Sequence, residues 1–195
     1  MTDSKLYRFA RPIVKIFTNT FLRPKYEGLS NIPSDKSVIL AGTHTNILDC
    51  LVLMSSTKRS IHFLAKDELW HGPKKIIFAN MGLIPVNRKT KDHNAIVQAE
   101  KYLNNNSVIG IFPEGTTEKG RGLLPFKKGA VKMAKDTNTN IVPFIITGKY
   151  RLFSNNLKIT FGEPIKISNS DLDIENDKLR TIIQDMLGEE WDVYI

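Results

Sequence analysis

The sequence is short of the features that mark several large protein classes. Its 195 residues include one cysteine, Cys50, which excludes an intramolecular disulfide and is typical of a reducing compartment. No apolar run approaches the roughly 18 residues that a membrane-spanning helix requires, and the first residues lack the apolar core of a secretory signal. These absences predict a protein made and kept in the cytoplasm, and they leave attachment to a membrane surface open.

Several enzyme motifs are also missing. The chain has no Gly-x-Ser-x-Gly elbow, no Walker loop and no Gly-x-Gly-x-x-Gly sequence. Three of the four histidines, His62, His71 and His93, do not have the spacing of metal ligands. We therefore assign no role to these three histidines, nor to Trp70 and Trp191.

Acidic residues are fewer than basic ones. Twenty Asp and Glu stand against 28 Lys and Arg, which leaves a formal net charge of +8 at pH 7. Such an excess favours an anionic partner, whether a phosphate compound, a nucleic acid or an acidic membrane surface. Charge alone does not choose among the three.

Short runs rich in Val, Ile and Phe alternate with segments of helical periodicity. The runs predict strands at 37–42, 60–65, 82–87, 107–112, 141–146 and 157–162. Helical spacing is found at 46–56, 67–80, 93–104, 127–136 and 175–188. This alternation predicts a single α/β domain with a largely parallel central sheet flanked by helices.

Residues 1–25 predict an amphipathic helical segment that precedes the α/β domain at 26–195. Its apolar stripe contains Leu6, Phe9, Ile13, Phe17 and Phe21. Residues 4–26 include six basic and no acidic side chains, and the basic ones gather away from the stripe. Such a helix suits the interface of an anionic bilayer. A helix that covers the core of its own domain fits the same stripe, so both interpretations stay open.

The stretch "AGTHTNILDC" places His44 five positions before Asp49, between two apolar runs. If the flanking runs are a strand and a helix, His44 lies beyond the carboxyl edge of the sheet, where α/β proteins place their sites. A spacing of five is too long for one helical face, so we expect His44 before the helix and Asp49 in its first turn. A carboxylate beside the ring would let the imidazole act as a general base. Alternatively, Asn46 is an N-cap and Asp49 its capping-box partner, and the two roles are compatible.

Two further segments supply candidate anion ligands. The loop "FPEGTTEKGRGLLPFKKG", 112–129, is rich in glycine and basic residues, a composition that suits a negatively charged group. Glu114 within it is either an ion-pair partner that holds the loop or an acceptor for substrate hydroxyls. Arg88 directly follows the strand "GLIPVN" and is either a phosphate ligand or a solvated charge.

Taken in order, "HTNILD", "GLIPVNR", "FPEGTT…LLPFKKG" and "IVPFII" resemble the four blocks of the glycerolipid acyltransferase family, the bacterial 1-acylglycerol-3-phosphate acyltransferases in particular. The likeness runs from about residue 26 to 165. It implies acyl transfer from acyl-CoA or acyl-carrier protein to the free hydroxyl of a lysophospholipid, lysophosphatidic acid. This chemistry needs no metal or redox cofactor. A lipid acceptor also implies that the protein contacts an anionic membrane surface, as a peripheral or monotopic protein of the cytoplasmic face, and that nucleic acid is not a partner.

The resemblance implies a role for each matching residue. His44 matches the general base and Asp49 its orienting carboxylate. Arg88 matches a residue that holds the acceptor's phosphate. Glu114 and Gly115, followed by Thr116, match the acceptor-binding third block.

Other matches are less direct. Lys66 in "LAKDELW" matches a family lysine ahead of the second block, and Pro143 matches a shaping residue of the fourth. The family arginine after "FPEGT" is replaced here by Thr117. Phosphate binding therefore falls on Arg88 alone, or on Arg121 or Lys119 reaching back.

The departure at position 117 leaves alternatives for the function. The same chemistry could use another acceptor, such as glycerol 3-phosphate or a different lysophospholipid. A rival of another class is a non-catalytic basic module that binds nucleic acid or membranes, in which His44 and Asp49 are only structural. Nucleic-acid binding predicts a steep salt dependence and no thioester consumption.

Overall fold

The computed structural model describes residues 5–70, 74–87, 92–117 and 122–188. The strands are β1 (Lys25–Glu27), β2 (Val38–Gly42), β3 (Ile61–Lys66), β4 (Ile84–Val86), β5 (Val108–Ile111), β6 (Asn140–Thr147) and β7 (Lys158–Phe161). The helices are α1 (Lys5–Phe17), α2 (Asp49–Ser56), α3 (Lys74–Asn80), α4 (His93–Leu103), α5 (Gly129–Asp136) and α6 (Leu172–Leu187). A π-helical turn at Thr18–Leu22 follows α1, and short 3₁₀ turns occupy Leu29–Asn31 and Asp67–Trp70.

The seven strands form one sheet in the order β1-β7-β6-β2-β5-β3-β4. Every neighbouring pair is parallel except β6 and β7, which pair antiparallel. The central strand, β2, is buried along its whole length. A strand covered on both faces reads as a continuous apolar run, which is why "SVILAG" shows no alternation. The predicted α/β fold with a largely parallel sheet is confirmed.

Apolar clusters cover both faces of this sheet. Ile39 and Ala41 face a cluster completed by α4, α5 and α6. Val38 and Leu40 face the other cluster, to which α2 contributes Val52 and Leu53 among others. Successive side chains of a strand point to opposite faces, so β2 serves both cores and the domain has helices on each side of the sheet.

Several elements differ from the sequence-based bounds, among them α2, which begins at Asp49 rather than at residue 46. Strand β1 was not predicted, because its three residues form an edge strand with no fully buried side chain. The predicted 67–80 helix contains a 3₁₀ turn at its start, and α3 begins only at Lys74. Helix α6 begins at Leu172, three residues earlier than predicted, because the Asp171 carboxylate caps it by accepting the Asp173 N–H at 2.8 Å.

The N-terminal segment is fastened to the domain by polar groups and a few buried residues. The Tyr7 ring is buried, and its hydroxyl accepts the Ile61 N–H at 3.0 Å. The hydroxyls of Thr18 and Ser55 lie 2.8 Å apart, and Arg11 Nε donates to the Thr57 carbonyl at 2.6 Å. One side of α1 therefore lies against α2 and the start of β3.

The predicted apolar stripe is not the side that holds α1 to the domain. Within the stripe Phe9 is 70% exposed, Ile13 and Phe17 are also exposed, and Leu6 and Phe21 are half-buried, while the adjacent Ile16 is 68% exposed. The interpretation in which this stripe covers the domain's own core is therefore wrong, since Tyr7 and its neighbours do that instead. Among the described helices, none is both long and apolar enough to cross a bilayer.

Candidate active site

The turn between β2 and α2 lies at the carboxyl edge of the central strand. Gly42 ends β2 where the backbone of β6 comes close, since a Cβ added there would lie 2.0 Å from the Phe144 carbonyl oxygen. Thr43 is buried, and its Oγ1 accepts the Ile146 N–H at 3.0 Å. The start of the turn is thereby fixed against β6, and His44 comes next in the chain.

His44 and Asp49 are in contact. His44 Nδ1 lies 2.9 Å from Asp49 Oδ2, and the exposed fractions of the two side chains are 13% and 0%. His44 precedes the helix and Asp49 is the first residue of α2, which is the arrangement that the spacing of five predicts. A carboxylate acceptor at Nδ1 places the hydrogen of a neutral imidazole on that nitrogen, so Nε2 carries the free lone pair.

The Asp49 carboxylate accepts hydrogen bonds on both oxygens. Oδ2 receives the backbone N–H groups of Thr45 at 2.6 Å and Asn46 at 2.9 Å, in addition to His44. Oδ1 receives the Thr45 hydroxyl at 3.3 Å and the hydroxyl of Tyr150. A fully buried charge requires such donors, because desolvation alone would make it very costly.

The capping interpretation holds in part. Helix α2 begins at Asp49 after Leu48, so the prediction of Asn46 as the N-cap is wrong. Asn46 instead forms an Asx turn, in which its Oδ1 accepts the Leu48 N–H at 3.0 Å. The bond from the Asn46 N–H to Asp49 resembles the reciprocal half of a capping box. The same carboxylate therefore orders the start of the helix and contacts His44.

Phe112 forms the other wall of the histidine site. The imidazole of His44 stacks on its ring, with centroids 4.0 Å apart and planes at 15°. Phe112 in turn lies parallel to Phe63 at 6.3 Å and edge-on to Phe144 at 5.9 Å. Sequence reasoning placed Phe112 at the end of a strand and the start of the basic loop, and gave its side chain no role. The missed signal was register, because β2 and β5 are parallel neighbours and the residue after β5 must lie beside the turn after β2.

Glu114 lies next to the same turn. Its Oε2 accepts the Leu124 N–H at 3.0 Å, and its carboxylate also accepts a hydrogen bond from the backbone N–H of His44. Burial raises the pKa of Glu114, and these hydrogen bonds oppose the rise. Gly115 adopts a φ of +72° and donates its N–H to the Phe112 carbonyl at 3.0 Å. This tight turn directs Glu114 back toward His44.

The remaining predicted substrate ligands are placed less closely. Lys66 is the exposed last residue of β3 and pairs with Val86 at the end of β4, so it lies at the same edge of the sheet as His44. Thr116 is half-buried and Thr117 is exposed. Pro143 is buried in β6 opposite Ala41, a position that fits a shaping residue.

Arg88 and Arg121, together with Lys119, lie outside the described residues. Their predicted roles as phosphate ligands therefore stay predictions.

Helix α6 contributes contacts that sequence reasoning missed, because its pattern predicted only a core helix. Arg180 Nη2 donates to the Leu123 carbonyl at 2.9 Å, and the charge of Arg180 also acts on Glu114.

Comparisons with known proteins add independent findings. A family model described as acyltransferase matches residues 23–147, more than half of the chain. The 1-acyl-sn-glycerol-3-phosphate acyltransferase of Borreliella burgdorferi is 33% identical over 170 residues, which cover 82% of this chain and 68% of that protein. The protein of the same name from Bacillus subtilis is 27% identical over 169 residues, which cover 82% of each chain.

A solved structure has a similar fold. The crystal structure of the 1-acyl-sn-glycerophosphate (LPA) acyltransferase from Thermotoga maritima matches 94% of this chain and 80% of its own, with a TM-score of 0.74 and 20% identity. At this identity the likeness concerns the fold.

Proposed function

Because this chain belongs to the acyltransferase family and is an O-acyltransferase, we propose that it acylates the free sn-2 hydroxyl of 1-acyl-sn-glycerol 3-phosphate. The donor is an acyl thioester, either acyl-CoA or acyl-carrier protein, and the product is phosphatidic acid for phospholipid biosynthesis. The observation that carries this proposal is the pair formed by His44 and Asp49, with Nδ1 and Oδ2 2.9 Å apart at the carboxyl edge of β2.

His44 acts as the general base in this proposal. With Nδ1–H held by Asp49, Nε2 takes the proton of the acceptor hydroxyl while the oxygen attacks the thioester carbonyl carbon. The tetrahedral intermediate collapses as the C–S bond breaks, and the imidazolium returns the proton to the departing thiolate. The buried Asp49 carboxylate stabilises the imidazolium between these steps. A positioned general base of this kind contributes about 10² to 10⁴ in rate.

The acceptor binds on the same edge of the sheet. Glu114 lies beside the His44 backbone and is the proposed acceptor for a substrate hydroxyl, with Gly115 and Thr116 completing the turn. Lys66, at the end of β3, supplies a positive charge at this edge. Arg88 and Arg121 are the proposed ligands of the acceptor's phosphate, on the sequence evidence alone. Arginine suits that role because its planar fork matches phosphate geometry.

The N-terminal segment, residues 1–25, is the proposed contact with the cytoplasmic face of an anionic membrane. The side of α1 turned away from the domain exposes Phe9, Ile13 and Ile16, and the segment carries basic but no acidic charge from residue 4 onward. A lipid acceptor has to be taken from a bilayer, so a peripheral or monotopic attachment places residues 26–195, the proposed catalytic domain, at its substrate.

The test is an acyl-transfer assay with the purified full chain. Acyl-CoA and acyl-carrier protein are each combined with 1-acyl-sn-glycerol 3-phosphate in mixed micelles, and thiol release and phosphatidic acid are measured together. We expect turnover by the wild type and none by folded His44→Ala protein. If the protein instead acylates glycerol 3-phosphate or another lysophospholipid, that compound would replace 1-acyl-sn-glycerol 3-phosphate as the proposed acceptor. No thiol release with any acceptor would contradict the proposed function.

A further inference from the structure

The loop between β6 and β7, residues 148–157, reaches the Asp49 carboxylate. Tyr150, three residues after the end of β6, donates its hydroxyl hydrogen to Asp49 Oδ1, although the two residues are 101 positions apart in the sequence. The ring of Tyr150 is half-buried and packs against the apolar cluster that contains Phe144. A residue from a connecting loop thus touches the group that holds His44.

This contact is made to the oxygen that does not face His44. Oδ2 of Asp49 is held by three donors, whereas Oδ1 has the Tyr150 hydroxyl and a long bond of 3.3 Å from Thr45. Without the Tyr150 hydroxyl, mainly the donors on Oδ2 would oppose rotation of the carboxylate about its Cβ–Cγ bond. The hydroxyl also draws negative charge toward Oδ1, which limits how strongly Asp49 favours the imidazolium over the neutral base.

The position of the loop is fixed by the N-terminal segment. Phe153 donates its N–H to the Phe21 carbonyl at 2.6 Å, and the two rings lie 5.4 Å apart. The guanidinium of Arg23 lies 5.8 Å from the centre of the Phe153 ring. Phe153 has a φ of +60°, a backbone conformation that an aromatic residue keeps only where its surroundings enforce it. The loop is therefore anchored three residues beyond Tyr150.

We propose that Tyr150 is a positioning residue for the acyl transfer, which acts by fixing the rotation and the charge of Asp49, and that the anchor of Phe153 on Phe21 keeps Tyr150 in place. The inference rests on the proposed function, because it assumes that His44 is the base. It links the N-terminal segment to the reacting histidine through one loop.

The pH profile separates a positioning role from a structural one. Within the described part of the chain, the titratable groups next to His44 and Asp49 include, besides Tyr150 itself, the carboxyl of Glu114 and the thiol of Cys50. Burial, reinforced by the charge of Asp49, raises the pKa of Cys50 to about 12, so this thiol stays neutral during the assay. In Tyr150→Phe, Asp49 keeps more negative charge and the imidazolium of His44 is favoured. The acidic limb of kcat/KM should therefore move to higher pH.

The first experiment compares Tyr150→Phe with Tyr26→Phe. The Tyr26 hydroxyl donates at 3.1 Å to the carbonyl of Val52, which lies in α2, the helix that begins at Asp49. Tyr26→Phe therefore removes a hydroxyl next to α2 without removing a contact of Asp49. For Tyr150→Phe we expect kcat to fall between about tenfold and a hundredfold at neutral pH, with little change in the acceptor KM. The loss should shrink at higher pH, and Tyr26→Phe should keep the wild-type profile.

The second experiment tests the anchor with Phe153→Ala, alone and combined with Tyr150→Phe, and with Leu152→Ala as the control. Leu152 is the neighbouring apolar residue of the loop and is 60% exposed. A short-chain water-soluble acceptor removes membrane binding from the comparison. Phe153→Ala should lower kcat by less than Tyr150→Phe and add little to it in the double variant, because both act through one contact.

Each outcome is decisive. Wild-type kcat and an unshifted pH profile in Tyr150→Phe would overturn the inference, as would a loss of equal size at every pH in a protein with a lowered melting temperature. Fully additive losses in the double variant would remove the role of Phe153. These failures differ from failure of the proposed function, in which the wild type releases no thiol or folded His44→Ala protein is as active as the wild type.

Discussion

The imidazole of His44 lies flat against the ring of Phe112, with centroids 4.0 Å apart and planes at 15°. The ring is thus confined from its face by Phe112 and from its edge by Asp49, whose Oδ2 lies 2.9 Å from Nδ1. These two contacts leave the imidazole little freedom to rotate. They come from different elements, the start of α2 and the residue after β5, and each can be tested by mutation.

Phe112→Leu should lower kcat by about tenfold while leaving the fold intact, since leucine keeps the apolar volume but loses the flat face. An aromatic face stabilises a cation lying over it, so its loss disfavours the imidazolium. The acidic limb of kcat/KM should therefore move to lower pH, opposite to the shift expected for Tyr150→Phe. Phe63→Leu is the matched control, because Phe63 stacks on Phe112 from 6.3 Å and not on His44. An unshifted limb in Phe112→Leu would show that the stack only fills space.

Asp49→Asn should reduce both the rate and the stability of the protein. The rate should fall by about 10² to 10⁴, because the amide no longer favours the imidazolium. In the variant, an amide NH₂ group also faces donors that bond to the buried carboxylate in the wild type. The free energy of unfolding should therefore fall by about 1 to 3 kcal/mol. Rate assays and urea melts of Asp49→Asn and His44→Ala separate the two effects. Normal turnover in folded Asp49→Asn protein would leave Asp49 with a capping role only.

The buried carboxyl of Glu114 should make the stability difference between the wild type and Glu114→Gln depend on pH. Burial raises the pKa of its carboxyl above 4.5, so the folded state binds the proton more strongly than the unfolded state. This contribution is fully present below 4.5 and is lost as the pH rises through the raised pKa. Glu114→Gln keeps an acceptor for the Leu124 N–H but carries no charge. In thermal melts, the variant should therefore gain stability relative to the wild type as the pH rises from below 4.5 through the raised pKa of Glu114.

The same Glu114→Gln protein should lose turnover if the carboxylate binds a substrate hydroxyl. The acceptor KM should rise while the donor KM stays close to that of the wild type. A variant that is more stable at neutral pH and fully active would instead assign Glu114 to the loop, as the ion-pair interpretation has it. Kinetics with both substrates varied make the distinction.

Arg88→Ala should raise the acceptor KM, because Arg88 is the proposed ligand of the acceptor's phosphate. The donor KM should stay nearly unchanged, because the thioester does not make this contact. Charged hydrogen bonds contribute about 1.5 to 3 kcal/mol, so kcat/KM should fall between about tenfold and a few hundredfold. Arg88→Lys should recover only part of the loss. Thr117→Arg should tighten a phosphate-bearing acceptor and partly rescue Arg88→Ala. An unchanged acceptor KM in Arg88→Ala would shift the assignment to the basic loop that follows Thr117.

Removing the exposed apolar side chains of α1 should weaken membrane binding without affecting the chemistry. Phe9→Ser combined with Ile16→Ser should reduce sedimentation with anionic vesicles, while turnover of a short-chain soluble acceptor stays at the wild-type level. Binding by the wild type should also decline as salt rises, since exposed charges are screened within about 10 Å at 0.1 M. Tyr7→Phe is the contrasting variant, because it alters the buried side and should lower the melting temperature instead. Equal binding to neutral and anionic vesicles would contradict the electrostatic contribution to membrane binding.

Short-range features of this protein are readable from its sequence. Strands and helices follow from apolar periodicity, and the long apolar runs locate the buried parallel strands. The contact of His44 with Asp49 is also local, since five residues and one turn bring the two side chains together. The alternation of strands and helices then fixes the edge of the sheet at which this turn lies.

Contacts between distant parts of the chain depended on the tertiary structure. Tyr150 meets Asp49 across 101 positions, and Phe112 meets His44 because β5 pairs with β2. The side of α1 that packs on the domain was likewise decided by Tyr7 and its partners, not by the most apolar stripe. Periodicity reports which residues share a face but not what that face meets. Those partners are chosen by strand order and loop anchoring, through long-range packing that no local pattern encodes.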